Sequence, residues 1–328
     1  MISYSKYRPE WIDRIASTAP MQRLKDVGMN CGCEYTQFPL YKNVSAYSRY
    51  EHSIGTSLIV WNFTHDRTQA IAALLHDIAT PVFAHTIDFM NGDYLTQEST
   101  EDRTMEMICS SEELRDEFEL LRIKIEDVAD YHKYSIADND SPRLSSDRLE
   151  YTIGNAERYR IASSDRLQEI YDSLIIAQAE DGAEELAFDD AEKAELFTGI
   201  SLACSGVYTA DEDRYAMQLL SEIVSEAISR QVLQQEDLYT TEPEVIHKLK
   251  SDAELSAMWE HYRQLDRMIT EESQAPEEAR RVVSAKKRYI DPLILGRGRV
   301  SDNNESIRQE IDEFLARSFV HWICGGAH

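Results

Sequence analysis

The chain has 328 residues, of which 42% are apolar and 29% charged, with a formal net charge of −26. That composition is too apolar and aromatic for a disordered chain, and no stretch approaches the ~18 consecutive apolar residues that a membrane-spanning helix needs. So acidic a balance argues against a general nucleic-acid binder, yet it leaves room for a small phosphorylated ligand, because salt screens distant charge over about 10 Å.

From the N-terminus, Met1 to Ile15 mixes Lys6, Arg8, Glu10, Asp13 and Arg14, which is not a signal-peptide pattern, so a cytoplasmic protein is expected. Cys31-Gly-Cys33 has no second Cys or His pair beside it. Together with an odd total of five cysteines, this points to reduced thiols rather than structural zinc or a disulfide framework. Apolar spacing predicts helices over Ser53 to Phe63 and Arg67 to Ile78. Ser110 followed by Glu113 reads as a capping box ahead of a long helical pattern reaching Val128, and Ser146 caps a helix over Asp147 to Tyr159. Further helices are expected near 164–178, 189–204, 211–234, 244–262 and 303–322.

Two stretches break the pattern. Residues 179–190 are acidic and contain Gly182, which predicts a loop or boundary. Residues 281–301 hold β-branched and aromatic residues around Pro292, Gly296 and Gly298, which predicts a short two-stranded ribbon. The expected fold is therefore all-α: a helical core over 1–178, then a helical C-terminal portion over 190–328 carrying the small β-ribbon. The apolar stripe Ala216, Leu219, Leu220, Ile223, Val224, Ala227 and Ile228 reads as core, and the terminal WICGGAH as a flexible tail.

Five of the nine histidines fall between positions 52 and 132. His76 and Asp77 end an apolar helix, LLHDIATP, where consecutive side chains stand about 100° apart and can both reach a cleft. His52 opens a helix in SRYEHSIG and Asp147 opens one in SSDRLEY. Two imidazoles and two carboxylates make a mixed nitrogen and oxygen set suited to one divalent ion: Mn, Fe, Zn or Mg. Four protein ligands leave positions on a six-coordinate ion for water and a phosphate oxygen. An isolated His-Asp pair, however, is more often a hydrogen-bonded core pair.

The local context of these segments resembles the HD-domain metal-dependent phosphohydrolases, most nearly the deoxynucleoside triphosphate triphosphohydrolase branch. MQRLKDVGMNCGCEYTQFP with YSRYEHSIG is similar to that branch's leading helix and first motif, AALLHDIATPVFAH to its central motif, and SSDRLEYTIGNA to its closing Asp motif. Coverage is good from about 19 to 160. The resemblance implies an HD helical core with His52, His76, Asp77 and Asp147 as metal ligands. It further implies Arg49 beside a nucleotide, His85 with Asp88 as a proton-transferring pair, and Arg148 and Tyr151 as phosphate and sugar contacts. The implied activity is hydrolysis of a nucleotide or related phosphoester through attack by metal-activated water, and a homo-oligomer is permitted.

Two departures stand out. The branch reads His-Asp-x-Gly-His where this chain has His76-Asp77-Ile78-Ala79-Thr80, and its His-Glu pair is replaced by Gln97-Glu98. Neither Thr nor Gln is a general acid near neutral pH, so a mono- or diphosphate substrate stands beside a triphosphate. His132, in DYHKY, reads as structural rather than as a substitute. The cationic run of Arg280, Arg281, Lys286, Lys287, Arg288, Arg297 and Arg299 reads equally as an anion site or as a solvated ribbon. Two rival readings remain. One is a non-catalytic nucleotide sensor or assembly module with a structural metal; the other is a helical interaction protein without metal.

Overall fold

The computed structural model describes residues 2–90 and 103–328, so the expectation about Gln97 and Glu98 falls outside the described residues. The fold is mainly helical, as expected, with two small sheets among the described residues. Helices α1 (Glu10–Ala16) and α2 (Ala19–Arg23) precede α3 (Arg49–Thr64), α4 (Arg67–Leu75) and α5 (His85–Met90). Beyond residue 103 come α6 (Thr104–Ser110), α7 (Glu112–Leu121), α8 (Ile125–Val128), α9 (Ser146–Arg158) and α10 (Ser164–Tyr171). Strands β1 (Leu174–Gln178) and β2 (Glu184–Phe188) lead to α11 (Ala191–Tyr208), α12 (Asp211–Ser229), α13 (Glu242–Leu249) and α14 (Ala253–Gln264). The last part holds β3 (Arg267–Met268), β4 (Leu293–Ile294), β5 (Gly298–Arg299), α15 (Val300–Asn303), α16 (Glu305–Ala316) and β6 (Gly325–Gly326). No described helix is long and apolar enough to cross a membrane.

Side-chain caps fix where the central helices begin. Ser48 accepts from the Glu51 amide while Glu51 accepts from the Ser48 amide, a capping box that starts α3 four residues ahead of the expected Ser53. The caps expected at Ser110 and Ser146 shift by one residue: Ser111 accepts from Leu114 N, and Ser145 from Arg148 N. Helix α4 stops at Leu75, three residues early, because the chain tightens into successive turns, with Ile78 N bonded to Leu75 O and Thr80 N to Asp77 O. The helix expected over 244–262 is broken in two where Asp252 caps α14 through the amides of Glu254 and Leu255.

The strand content departs furthest from expectation. The helix expected over 164–178 ends at Tyr171, and β-branched Ile175 and Ile176 belong to a strand instead. β1 pairs antiparallel with β2 in the register Leu174↔Phe188, around a turn in which Gly182 has φ +86°. The ribbon expected over 281–301 shrinks to the β4–β5 hairpin, which joins β2 in parallel to complete a four-stranded sheet. The helix expected to reach 322 ends at Ala316. Nor is the C-terminus a loose tail: β6 pairs with β3 through Arg267↔Gly326, Cys324 is buried, and His328 Nδ1 lies 2.6 Å from Asp266.

Three apolar clusters hold the helices together. One joins α12, α13 and α14 to Phe38, Val82, Phe83 and Ile87, and includes most of the stripe read as core. A second joins α3, α9, α10, α11 and the four-stranded sheet, and a third packs α1, α4 and α7 together. Burying side chains such as Leu74, Leu75, Ile153 and Phe197 contributes about 1.5–3 kcal/mol each.

A carboxylate pair ties the turn after α2 to α13. Glu242 accepts from Gly28 N at 2.8 Å, Tyr35 Oη at 2.8 Å and Phe83 N at 3.4 Å. Glu34 packs against Gly28 beside it, and its buried Oε2 meets no hydrogen-bond partner among the described residues. Burial, then the charge of Glu242, pushes the Glu34 carboxyl up from 4.5 to about 8. The folded state therefore holds this proton where the unfolded state has released it. Stability is predicted to fall as pH rises from about 4.5 through about 8. Glu34→Gln, which stays neutral, should flatten that slope in denaturation curves measured across the range.

Candidate metal centre

Three helix termini meet at one point. The first turn of α3 brings Arg49 and His52, the turn after α4 brings His76 and Asp77, and the first turn of α9 brings Asp147 and Glu150. His52 Nε2 lies 3.1 Å from His76 Nε2 and 3.0 Å from Asp147 Oδ1, while His76 Nε2 is 3.6 Å from the same oxygen. These three side chains form a group able to hold one metal ion. Asp77 Oδ2 stands 3.8 Å from His52 Nε2 and 3.5 Å from His76 Nε2, beside that group. Asp77 is also engaged elsewhere, by Arg49 Nη1 at 3.2 and 3.0 Å and by Thr80 Oγ1 at 2.7 Å.

The far nitrogen of each imidazole is fixed by a partner. His52 Nδ1 faces Glu150 Oε2 at 2.6 Å and His76 Nδ1 faces Ala73 O at 2.7 Å. Both partners are acceptors, so each Nδ1 presents a hydrogen to its partner and each Nε2 is turned inward. Two ring nitrogens 3.1 Å apart, facing a carboxylate, call for positive charge between them, from a proton or a metal ion. The electrostatics agree. Burial disfavours the His52 imidazolium, but hydrogen bonds to Asp147 and Glu150 outweigh it and raise its pKa to about 10. Burial opposes ionisation of Asp147 and Asp77, yet the histidines hold Asp147, and Arg49 with the histidines holds Asp77, below the usual carboxylate range. The donor set fits a divalent cation.

Glu150 was not foreseen from sequence, although it follows Asp147 by three residues and so shares its helix face. Its other contacts are Tyr47 Oη and Tyr4 Oη. A Cβ on Gly55 would sit 2.5 Å from Glu150 Oε1, so only glycine lets α9 seat this carboxylate against α3.

The centre opens onto a cavity of about 440 Å³. Arg49 lines it, and its buried Nε meets no acceptor among the described residues. His85 lies on the wall with Nδ1 2.9 Å from the fully buried Asp88, as the expected pair. Burial and the charges of Arg288 and Arg49 lower the His85 pKa. Tyr151 lines the cavity edge-on to Tyr208, their ring centres 6.4 Å apart. Arg148 also borders the cavity, but its guanidinium is turned to the loop beside it. It binds Arg143 O, Asn139 and Asp138, which leaves little of the expected phosphate contact.

The cationic run divides. Arg280 and Arg281 pair with Glu272 and Glu222, Arg299 pairs with Glu180 and Glu185, and Lys287 bonds Leu315 O. Lys286 and Arg288 instead line the cavity, with Arg288 Nη2 3.5 Å from His85 Nε2. Cys31 and Cys33 are buried and not joined by a disulfide. His132, read from sequence as structural, lines the cavity as well.

No protein-family model matches the chain. The chain is similar to a protein of Bacillus subtilis (strain 168) described as "Uncharacterized protein YdhJ", at 24% identity over 242 residues, covering 73% of this chain and 71% of that protein.

Because Glu150 orients His52, Glu150→Gln should weaken affinity for a divalent ion by about 10- to 100-fold. Chelator-competition titration measures this, and an unchanged affinity would contradict the role given to Glu150.

Proposed function

We propose that this chain is a metal-dependent phosphohydrolase acting on a nucleotide or related phosphoester. The observation that carries the reading is one cavity holding both the His52–His76–Asp147 donor cluster and, besides the internally bonded Arg148, the cationic side chains Arg49, Lys286 and Arg288, set among further carboxylates such as Asp138, Asp140 and Asp213. In a chain of net charge −26, cations gathered at a donor cluster mark a place for an anion. The cavity volume suits a small molecule. The resemblance to HD phosphohydrolases agrees with this reading, with Asp77 as a fourth ligand.

A divalent ion held by His52, His76 and Asp147 would polarise a phosphoryl oxygen and make water a better nucleophile. Arg49, anchored on Asp77, keeps its Nε for a phosphoryl oxygen. His85 is the base: its lowered pKa keeps it neutral near pH 7, and its Nδ1–H is committed to Asp88, so Nε2 accepts the proton from the attacking water. Arg288 and Lys286 neutralise further phosphate charge. Tyr151, Tyr159, Tyr208 and Asn155 offer aromatic faces and an amide to the remainder of a nucleotide.

The second reading, a nucleotide sensor with a structural metal, draws support from Thr80. It hydrogen-bonds Asp77 where the resemblance places a proton-transferring histidine. Release of phosphate, pyrophosphate or triphosphate from a nucleotide panel with added Mn, Fe, Zn or Mg separates the two. Turnover with at least one metal is expected, reduced about 10²–10³-fold in Arg49→Gln and lost in Asp147→Ala. Stoichiometric metal without turnover on any nucleotide would favour the sensor.

A further inference from the structure

The same cavity is lined by a second histidine–carboxylate pair, His132 with Asp138. Tyr131 to Lys133 form a short 3-10 turn, started by the Asp130 side chain accepting from His132 N at 3.2 Å. The Tyr131 ring is the spacer: its centre is 5.1 Å from the His76 ring and 4.3 Å from the His132 ring. His132 therefore sits one aromatic ring away from the donor cluster. Its Nδ1 lies 2.9 Å from Asp138 Oδ2. Asp138 is in turn fixed by Arg148 Nη1 at 3.2 Å and Ser145 Oγ at 3.3 Å. The guanidinium that the family resemblance implies as a phosphate contact thus positions the carboxylate behind a histidine.

Resting on the hydrolase reading above, we infer that His132, held by Asp138, is the general acid that protonates the leaving oxygen of the phosphoester. The two pairs then divide the work. As water attacks phosphorus and the bond to the leaving oxygen breaks, the water proton passes to His85 Nε2, and the leaving oxygen takes a proton from His132 Nε2. Water is consumed, an alcohol and a phosphate are formed, and no electrons are exchanged with another reactant. The environments fit the division. His85 has a buried partner and an arginine facing Nε2, which favours the neutral ring that takes a proton. The His132 side chain is 51% exposed, so bulk water can return its proton after each turnover. A purely structural histidine would not depend on the leaving group, and that difference gives the test.

The experiment compares His132→Gln with wild type on two substrates under the best metal. One is the nucleotide whose ester bond to the 5′ oxygen is cleaved fastest, so that the leaving group is an alkoxide; the other is the p-nitrophenyl ester of the same phosphate chain, whose leaving group needs no proton. The expected result is a loss of about 10²–10³ in kcat on the nucleotide, with KM little changed. The loss on the aryl ester should be less than about threefold, as no proton is required there. The alkaline limb of the nucleotide kcat profile should vanish, while metal content and Tm stay at wild-type values. Asp138→Asn should show the same substrate selectivity with a smaller loss. Equal losses on both substrates, or no loss on either, would overturn the assignment of His132 while leaving the hydrolase standing. A wild-type protein inert on both substrates with every metal would overturn both.

Discussion

Two imidazole nitrogens held 3.1 Å apart and turned toward each other are the constraint on which the site depends. Neither ring can turn away, because Glu150 and the carbonyl of Ala73 hold the opposite nitrogens. Such an arrangement is unfavourable without positive charge at its centre and strongly favourable with it. It also ties three elements to one point, since α3, the turn after α4 and the start of α9 each contribute a donor. The packing of α3 on both α4 and α9 supplies the rigidity that keeps those donors convergent.

Around this centre both signs of charge meet. Arg49, Lys286 and Arg288 line the cavity together with Asp77, Asp138, Asp140, Asp147 and Asp213. Much of the cationic run at 280–299 is consumed in ion pairs with Glu222, Glu272, Glu180 and Glu185, which fasten the C-terminal segment to the body. That fastening carries Lys286 and Arg288 to a cavity whose candidate donor cluster comes from residues 52–147. The cavity is therefore built from both ends of the chain.

The candidate donors were legible in the sequence because each sits at a helix end inside a local motif; of the four named, His52, His76 and Asp147 come together, while Asp77 stands beside them, bound to Arg49. The helices were legible from apolar spacing, with errors of one to several residues at their ends, where neighbouring serines compete to cap and only backbone geometry decides. Leu174 to Phe188 was misjudged because its first half continues an apolar helical pattern; the preference of Ile175 and Ile176 for a strand is expressed only through pairing with β2 and β4. Glu150, Arg148 and His132 show a different limit. Their residue types allow several roles, and the partners that choose among them, namely His52, Asp138 and the loop at 138–143, lie up to 98 residues away in sequence. The docked C-terminus was hidden for the same reason, since its partner strand β3 contributes only Arg267 and Met268.

The most direct test of the central claim is anomalous diffraction, at the absorption edges of Mn, Fe and Zn, from crystals of protein purified without chelator. The expected result is one strong peak per chain between His52 Nε2, His76 Nε2 and the Asp147 carboxylate. A map without that peak, from protein in which elemental analysis finds no transition metal even after incubation with each ion, would contradict the claim and leave the convergent histidines to be held by protons alone.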